Sequence, residues 1–166
     1  MTKLHSNELF LSGYFMNYWL MKTEPEVLSI KDLKEKKNQC WDGVRNYQAR
    51  NYMMKEMKLN DQIFFYHSNA NPSGIVGLAR VSKLAYPDHT QFDPKSEYYD
   101  PKASKEKPRW FMVEIAYVDS FKKIITLDDL RKHKILSEMV VLKKGNRLSI
   151  TPVKKIEFDY ILKIKD

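Results

Sequence analysis

Lys22 and Glu24 stand two residues apart at the end of an apolar run, NYWLMKTEP (17–25). In an extended chain that spacing puts an ammonium and a carboxylate on one face. Buried and shifted in pKa, such a pair moves protons; solvated, it is an ordinary ion pair. A second cluster, CWDGVRN (40–46), sets Trp41 beside a turn-forming Asp42-Gly43 and follows it with Arg45 and Asn46. A third, HSNANPSG (67–74), offers Ser68 and Asn69 directly after a strand-like run, a hydroxyl and an amide that between them donate and accept. A fourth, 86–110, carries Tyr86, Phe92, Tyr98, Tyr99 and Trp110 in an otherwise polar stretch. Flat apolar faces with a few polar groups describe a pocket for a planar heterocycle, such as an unstacked base.

Each part also has a plainer use. Trp41 can plug a core with Asp42 as a cap, Ser68-Asn69 can simply turn the chain, and the tyrosines can staple the loop. Arg45 and Asn46 can brace a loop or sit on a helix surface. Cys40 and His67 are of the types that form a thiol–base pair, but no third group or oxyanion-hole motif accompanies them. It is the combination that favours a pocket.

The elements that must position these residues follow from the pattern. NYWLM (17–21) reads as a strand stopped by Thr23-Glu24-Pro25, since proline lacks the donor a ladder needs. Ser29 followed by Asp32 starts a helix over roughly 30–37. Ala49, Tyr52, Met53 and Met57 recur at helical spacing, predicting a second helix over 45–57. QIFFYH (62–67) and GIVGLARVSKLA (74–85) are strand-like, joined by SNANPS. The stretch 86–108 is long for a loop in a compact domain, and its aromatics predict that it is ordered. RWFMVEIAYVDSF (109–121) alternates as a strand, Thr126 is a plausible N-cap, and a short helix near 135–143 ends at Gly145. RLSITPV (147–153) reads as extended, and 154–164 as either helix or strand. Together these predict a small barrel-like β-sheet with helices packed around it, in one domain.

Charge narrows the partners. The 166-residue chain has a formal net charge of +8. Residues 1–101 carry 13 Lys/Arg against 12 Asp/Glu, whereas 102–166 carry 16 against 9. A basic excess gathered in one region favours polyanions, chiefly nucleic acid. One cysteine excludes an intramolecular disulfide and points to a reducing compartment. The four histidines and that cysteine show no metal-ligand spacing, so neither a metal nor a cofactor is expected. The apolar segment 9–21 lacks a basic flank and a cleavage site and is too short to span a bilayer, so no membrane association is expected.

The strings YWLMKTEP (18–25), WDGVRNYQARN (41–51), FFYHSN (64–69), GIVGLARV (74–81), YYDP (98–101), PRWFMVEI (108–115) and LKKGNRLSITPV (142–153) resemble, in order, the EVE domain. The resemblance runs over about 17–163 and leaves residues 1–16 outside as an N-terminal extension. It implies a single PUA-like domain over 17–166: an α+β fold with a twisted, mostly antiparallel barrel of five to six strands flanked by helices. It further implies a non-catalytic reader of modified bases in nucleic acid, modified cytosine in DNA or modified RNA, with a flipped base held as in the aromatic cage of the related YTH domains. The implied pocket is Trp41, Arg45, Asn46, Ser68, Asn69, Tyr98 and Tyr99 with Lys22 and Glu24 on its floor. Arg109, Lys143, Lys144 and Arg147 are expected to hold phosphates, and the protein to be cytoplasmic, or nuclear in a eukaryote. The alternative is a small hydrolase of a modified nucleoside, similar to ASCH-type relatives, using Lys22 and Glu24. Pro25 departs from the Lys- and Arg-rich pattern of those enzymes. A third possibility is an accessory subunit whose basic surface binds a partner without using the pocket.

Overall fold

The computed structural model describes residues 16–166, so the expected N-terminal extension lies, except for Met16, outside the described residues. Strand β1 (Tyr18–Thr23) alternates as its sequence requires: Trp19 and Met21 pack on one face of the sheet and Leu20 on the other. Strand β3 (Gln62–His67) repeats the pattern, with Ile63 and Phe65 on the first face and Phe64 and Tyr66 on the second. Both faces are therefore apolar and both must be covered.

The first face is covered by the segment between β1 and β3. Helix α1 (Ile30–Lys36) starts at Ser29 with a full capping box to Asp32 and buries Leu33. Strand β2 (Asn38–Cys40) follows, then α2 (Tyr47–Asn51), which runs into a π-helical turn (Tyr52–Glu56) and buries Ala49 and Met53. This excursion returns the chain to lie parallel to β1, as a crossover of a dozen or more residues allows. The register runs from Tyr18 opposite Gln62 to Thr23 opposite His67. Asp61, fully buried, fixes the start of the pair by accepting from Trp19 Nε1 at 3.0 Å and from the amide of Asn17 at 3.0 Å.

Strands β4 (Gly74–Pro87) and β5 (Phe111–Ile125) form a long antiparallel pair with several register shifts, which bend and twist it. The second face is covered by α3 (Leu127–Arg131), capped by Thr126 with Asp129, and by two 3₁₀ turns, Lys134–Leu136 and Val140–Leu142. Strand β6 (Ile150–Val153) and helix α4 (Lys155–Ile164) complete it. Phe158 and Ile161, three apart on α4, are buried, and Phe158 stacks on Phe64 with ring centroids 4.6 Å apart. The tail is thus a helix, and the region 135–143 is two tight turns rather than one short helix.

The α+β class, the six strands and the flanking helices are as expected; the closure is not. The strand order is β2-β5-β4-β3-β1-β6, and the sheet is open, with β2 and β6 at its edges. It is also mixed, because β1 and β3 are parallel. The edge strands are only three and four residues long, which limits the unpaired ladder each presents.

This topology assembles the sequence motifs. Because β1 and β3 are parallel neighbours in register, their carboxyl ends finish side by side. The Ser68 amide donates to Thr23 O at 2.9 Å, and the Lys22 amide donates to Ser149 O at 2.8 Å. The first bond brings the SN motif against KTE, and the second brings the end of the basic loop 143–149 to the other side of β1.

Candidate functional site

A cleft of about 450 Å³ opens at the carboxyl ends of β1 and β3, the size of a small-ligand pocket. Its floor and one side come from Lys22, Thr23, Glu24, Ser68 and Ser149; its other side comes from 39–45 and from Tyr98. Cationic and anionic side chains in the lining balance, with Lys22, Lys36 and Arg45 against Glu24, Asp42 and Glu97. A cleft so balanced suits a neutral polar ligand better than a phosphate.

The wall is built from the WDG turn. The Trp41 amide donates to Val113 O at 2.8 Å, continuing the β2–β5 pairing, and its ring meets Phe65 edge-on at 5.9 Å. The residue is 6% exposed, so Trp41 is a core residue that also lines the cleft. Gly43 has φ +78° and its backbone lies against Tyr98: a Cβ there would stand 2.8 Å from that ring. Only glycine meets both conditions without strain.

Behind this turn stands a saturated polar network. The buried Asp88 carboxylate accepts from the Gly43 amide at 2.8 Å, Arg45 Nη1 at 3.0 Å and the Thr90 amide at 2.8 Å. Burial pushes this carboxyl up, but the bonds from Thr90, Gly43 and Arg45 outweigh burial and hold it below the ordinary value. Arg45 also donates from Nε and Nη2 to Tyr98 O, from Nη1 to Val44 O and from Nη2 to Thr90 Oγ1, so all five of its N–H groups are engaged. Its guanidinium lies 5.4 Å from the Tyr98 ring centroid and 5.3 Å from that of Trp110. Buried Gln91 closes the loop, donating to Asp88 O and Trp110 O and accepting from the amides of Arg109 and Trp110.

The opposite side is sparse in internal bonds. Burial lowers the Lys22 pKa, and its ammonium forms no hydrogen bond or ion pair with a described residue. It lies 5.4 Å from the Tyr66 ring centroid. The Ser68 hydroxyl is likewise without a partner among the described residues, although the residue lines the cleft. Glu24 is exposed and accepts from Asn69 Nδ2 at 2.6 Å. Lys22 and Glu24 share the cleft without forming an ion pair. Burial first, and then the Asp88 charge, raises the Asp42 carboxyl above its ordinary value.

Several expected site residues have other work here. Arg45 lines the cleft, but it has no free donor to offer. Asn46 is the N-cap of α2, accepting from the Ala49 amide at 3.0 Å, and does not line the cleft. Asn69, at φ +47°, orients Glu24 from outside the lining, and Tyr99 is 42% exposed beyond it. Arg109 is paired with Asp100 at 3.3 Å and donates to the Tyr47 hydroxyl. Lys143, Lys144 and Arg147 are exposed and free of ion pairs among the described residues, on the loop that ends at Ser149. The thiol–base pair is absent: His67 Nε2 accepts from the Ile30 amide, while burial and then Asp42 raise the Cys40 thiol. Asp88, Thr90 and Gln91 were not anticipated. The only sign was that Pro87-Asp88 starts a turn, and a turn signal does not reveal a buried acceptor. Among the described residues, no group of three His, Cys, Asp or Glu is arranged to hold a metal.

An open, mixed six-stranded sheet with a charge-balanced, ring-bearing cleft at the ends of its parallel pair is an α+β architecture with a pocket of small-ligand size. The chain matches the model of the EVE domain over residues 17–164. It is 45% identical to thymocyte nuclear protein 1 of Mus musculus, over 90% of this chain and 74% of that protein. A Pseudomonas syringae protein of known structure superposes with a TM-score of 0.86 at 44% identity, covering 90% of this chain and 99% of that one. The human THYN1 protein, solved in complex with DNA containing 5-methylcytosine, superposes with a TM-score of 0.84 at 44% identity over 90% of this chain and 98% of that one. The chain belongs to the EVE domain family.

Proposed function

We propose that the protein, through one domain over 17–166, reads modified bases in nucleic acid, modified cytosine in DNA before modified RNA. The base enters the cleft against the side formed by Trp41 and Tyr98 with its polar edge toward Lys22 and Ser68, and the loop carrying Lys143, Lys144 and Arg147 attracts the flanking phosphates. The observation that carries this reading is the cleft itself: one side bearing two rings, balanced charge, and an ammonium and a hydroxyl left without internal hydrogen bonds. The human relative's complex with 5-methylcytosine DNA supports the choice of base. The relatives' name supports a nuclear placement in a eukaryotic host. Among the described residues, no helix is long and apolar enough to cross a membrane.

Magnitudes set two requirements. A buried methyl group contributes about 0.8 kcal/mol, roughly a four-fold preference, so sharper discrimination needs polar or steric rejection of the bare base. Removing a base from a duplex costs a few kcal/mol, so single strands are the easier ligand. The test is a titration of matched single-stranded oligonucleotides carrying cytosine or 5-methylcytosine, as DNA and as RNA, at two salt concentrations, followed by tryptophan fluorescence. Modification-dependent quenching is expected. Equal binding that collapses with salt overturns the reading, because it is phosphate attraction alone.

One observation favours a second reading, hydrolysis of a modified nucleoside. The Lys22 ammonium has no hydrogen bond or ion pair in the cleft among the described residues, and burial lowers its pKa, as an acid–base lysine requires. Sustained turnover of an N-acylated cytidine, lost in Lys22→Met, is what that reading demands.

A further inference from the structure

The cleft wall does not end at Tyr98. Arg45 bridges the rings of Tyr98 and Trp110, and Trp110 in turn stacks on Tyr47 with centroids 5.0 Å apart and planes 21° apart. Tyr47 stands at the first turn of α2 and is 50% exposed. The Arg50 guanidinium lies 4.7 Å from the Tyr47 centroid and 5.8 Å from that of Trp110. Were Arg50 on the far face of Tyr47, its distance to Trp110 would approach the sum of the 5.0 and 4.7 Å separations. The three distances instead form a nearly equilateral triangle, so Arg50 packs beside the stack. Neither Trp110 nor Arg50 therefore covers the outer face of the Tyr47 ring. Two cations flank it, Arg50 and Arg109, the latter donating to the Tyr47 hydroxyl.

We infer that Tyr47 is a stacking platform for the base next to the one held in the cleft. The inference rests on the proposed reading of the cleft and adds a second subsite to it. A flat, exposed ring accepts any base, because every base has a π face, and the Arg50 guanidinium, bonded only to Asn51 Oδ1 and Arg109 O, keeps N–H groups that suit the linking phosphate. The Tyr98–Arg45–Trp110–Tyr47 column makes this platform continuous with the cleft wall, and the bonds of Arg45 and Gln91 hold it rigid. Reading would then depend on the identity of the base in the cleft and, only weakly, on that of its neighbour.

The experiment measures three ligands on three proteins. The ligands are a five-nucleotide single-stranded DNA with central 5-methylcytosine, the same pentamer with central cytosine, and the nucleoside 5-methyl-2′-deoxycytidine; the proteins are wild type, Tyr47→Ala and Tyr47→Phe. Tyr47→Ala is expected to weaken the pentamer roughly tenfold, the worth of one base–aromatic stack, and to leave the nucleoside unchanged. Tyr47→Phe, which keeps the ring, is expected to stay within about twofold of wild type on both. Unchanged pentamer binding in Tyr47→Ala overturns the inference. So does equal weakening of pentamer and nucleoside, which means a distorted cleft, or a loss in Tyr47→Phe as large as in Tyr47→Ala, which assigns the effect to the hydroxyl. Failure of the cleft reading shows separately, as a wild type that binds methylated and unmethylated pentamers alike. A wild type that binds neither pentamer overturns both.

Discussion

The two sides of the cleft are built on opposite terms. On the Trp41–Tyr98 side, Arg45 uses every donor it has and Asp88 accepts from three different residues. On the β1–β3 side, Lys22 and Ser68 line the same cleft, and neither ammonium nor hydroxyl has a hydrogen bond or ion pair among the described residues. Hydrogen bonds already made within the protein fix shape, and those left unmade are available to a ligand. In the proposed reading the saturated side sets what fits, and the unsatisfied side sets what is recognised. Substitutions on the first should lower stability and binding together, while substitutions on the second should lower binding alone.

Asp88→Ala gives the largest effect this contrast predicts. It strips the partner from Arg45 and from two backbone amides at a buried point, at a cost of roughly 3 kcal/mol. Arg45 is partly exposed and can recruit water, which places the cost at the low end for a broken buried pair. Urea denaturation at neutral pH measures it. The pH dependence has a definite sign. The folded pKa of Asp88 lies below the unfolded value of about 3.9, so its contribution is complete above that pH and is lost as pH falls through the folded pKa. Asp88→Asn should flatten that acid limb. An unchanged acid limb would show that the network is not what holds this wall.

Gly43→Ala comes next. A side chain at φ +78° costs about 1–2 kcal/mol, and the added methyl must also displace the Tyr98 ring. Melting temperature and affinity for a 5-methylcytosine pentamer should fall together. A loss of stability with full binding would mean that Tyr98 is a staple for the loop and not a wall of the cleft.

How much of this was legible in the chain depends on how local each signal is. Ser29 with Asp32 and Thr126 cap their helices as read, because a cap is set within four residues. The parallel β1–β3 pair was not legible, since strand direction depends on where a long excursion returns. Strand β2 was missed because its three residues carry no pattern of their own and pair through the backbone of β5. Of the expected pocket, Trp41, Lys22, Glu24, Arg45, Ser68 and Tyr98 do line one cleft. Asp88 escaped notice because its partners Arg45 and Gly43 lie more than forty positions away, and Gln91 because its bonds reach to Trp110.

Lys22→Met tests the unsatisfied side. Burial depresses the lysine pKa, so below the folded pKa the ammonium works against folding; removing it leaves stability unchanged or slightly higher. Relative to the variant, wild type should gain stability as pH rises from the folded pKa toward the unfolded value of about 10.4. Oligonucleotide affinity should meanwhile fall about tenfold at neutral pH, the loss of a hydrogen bond to a charged group. A variant that loses stability instead would put Lys22 with the saturated wall.

Asn46→Ala is the finest division of the comparison, because Asn46 adjoins Arg45 in sequence and the two side chains do different things. Arg45 turns to Asp88, Thr90 and Tyr98, while Asn46 turns back to the Ala49 amide of its own helix. Losing this cap should cost about 1 kcal/mol of stability. Nucleoside affinity should stay within about twofold, since the cap touches neither the cleft nor the Arg45 network. The helix it caps also carries Tyr47 at its first position, so any effect of fraying should appear in the longer oligonucleotide and not in the nucleoside. Loss of nucleoside affinity would instead mean that the start of α2 holds the Gly43 turn in place, and the boundary between wall and helix would have to move one residue further along the chain.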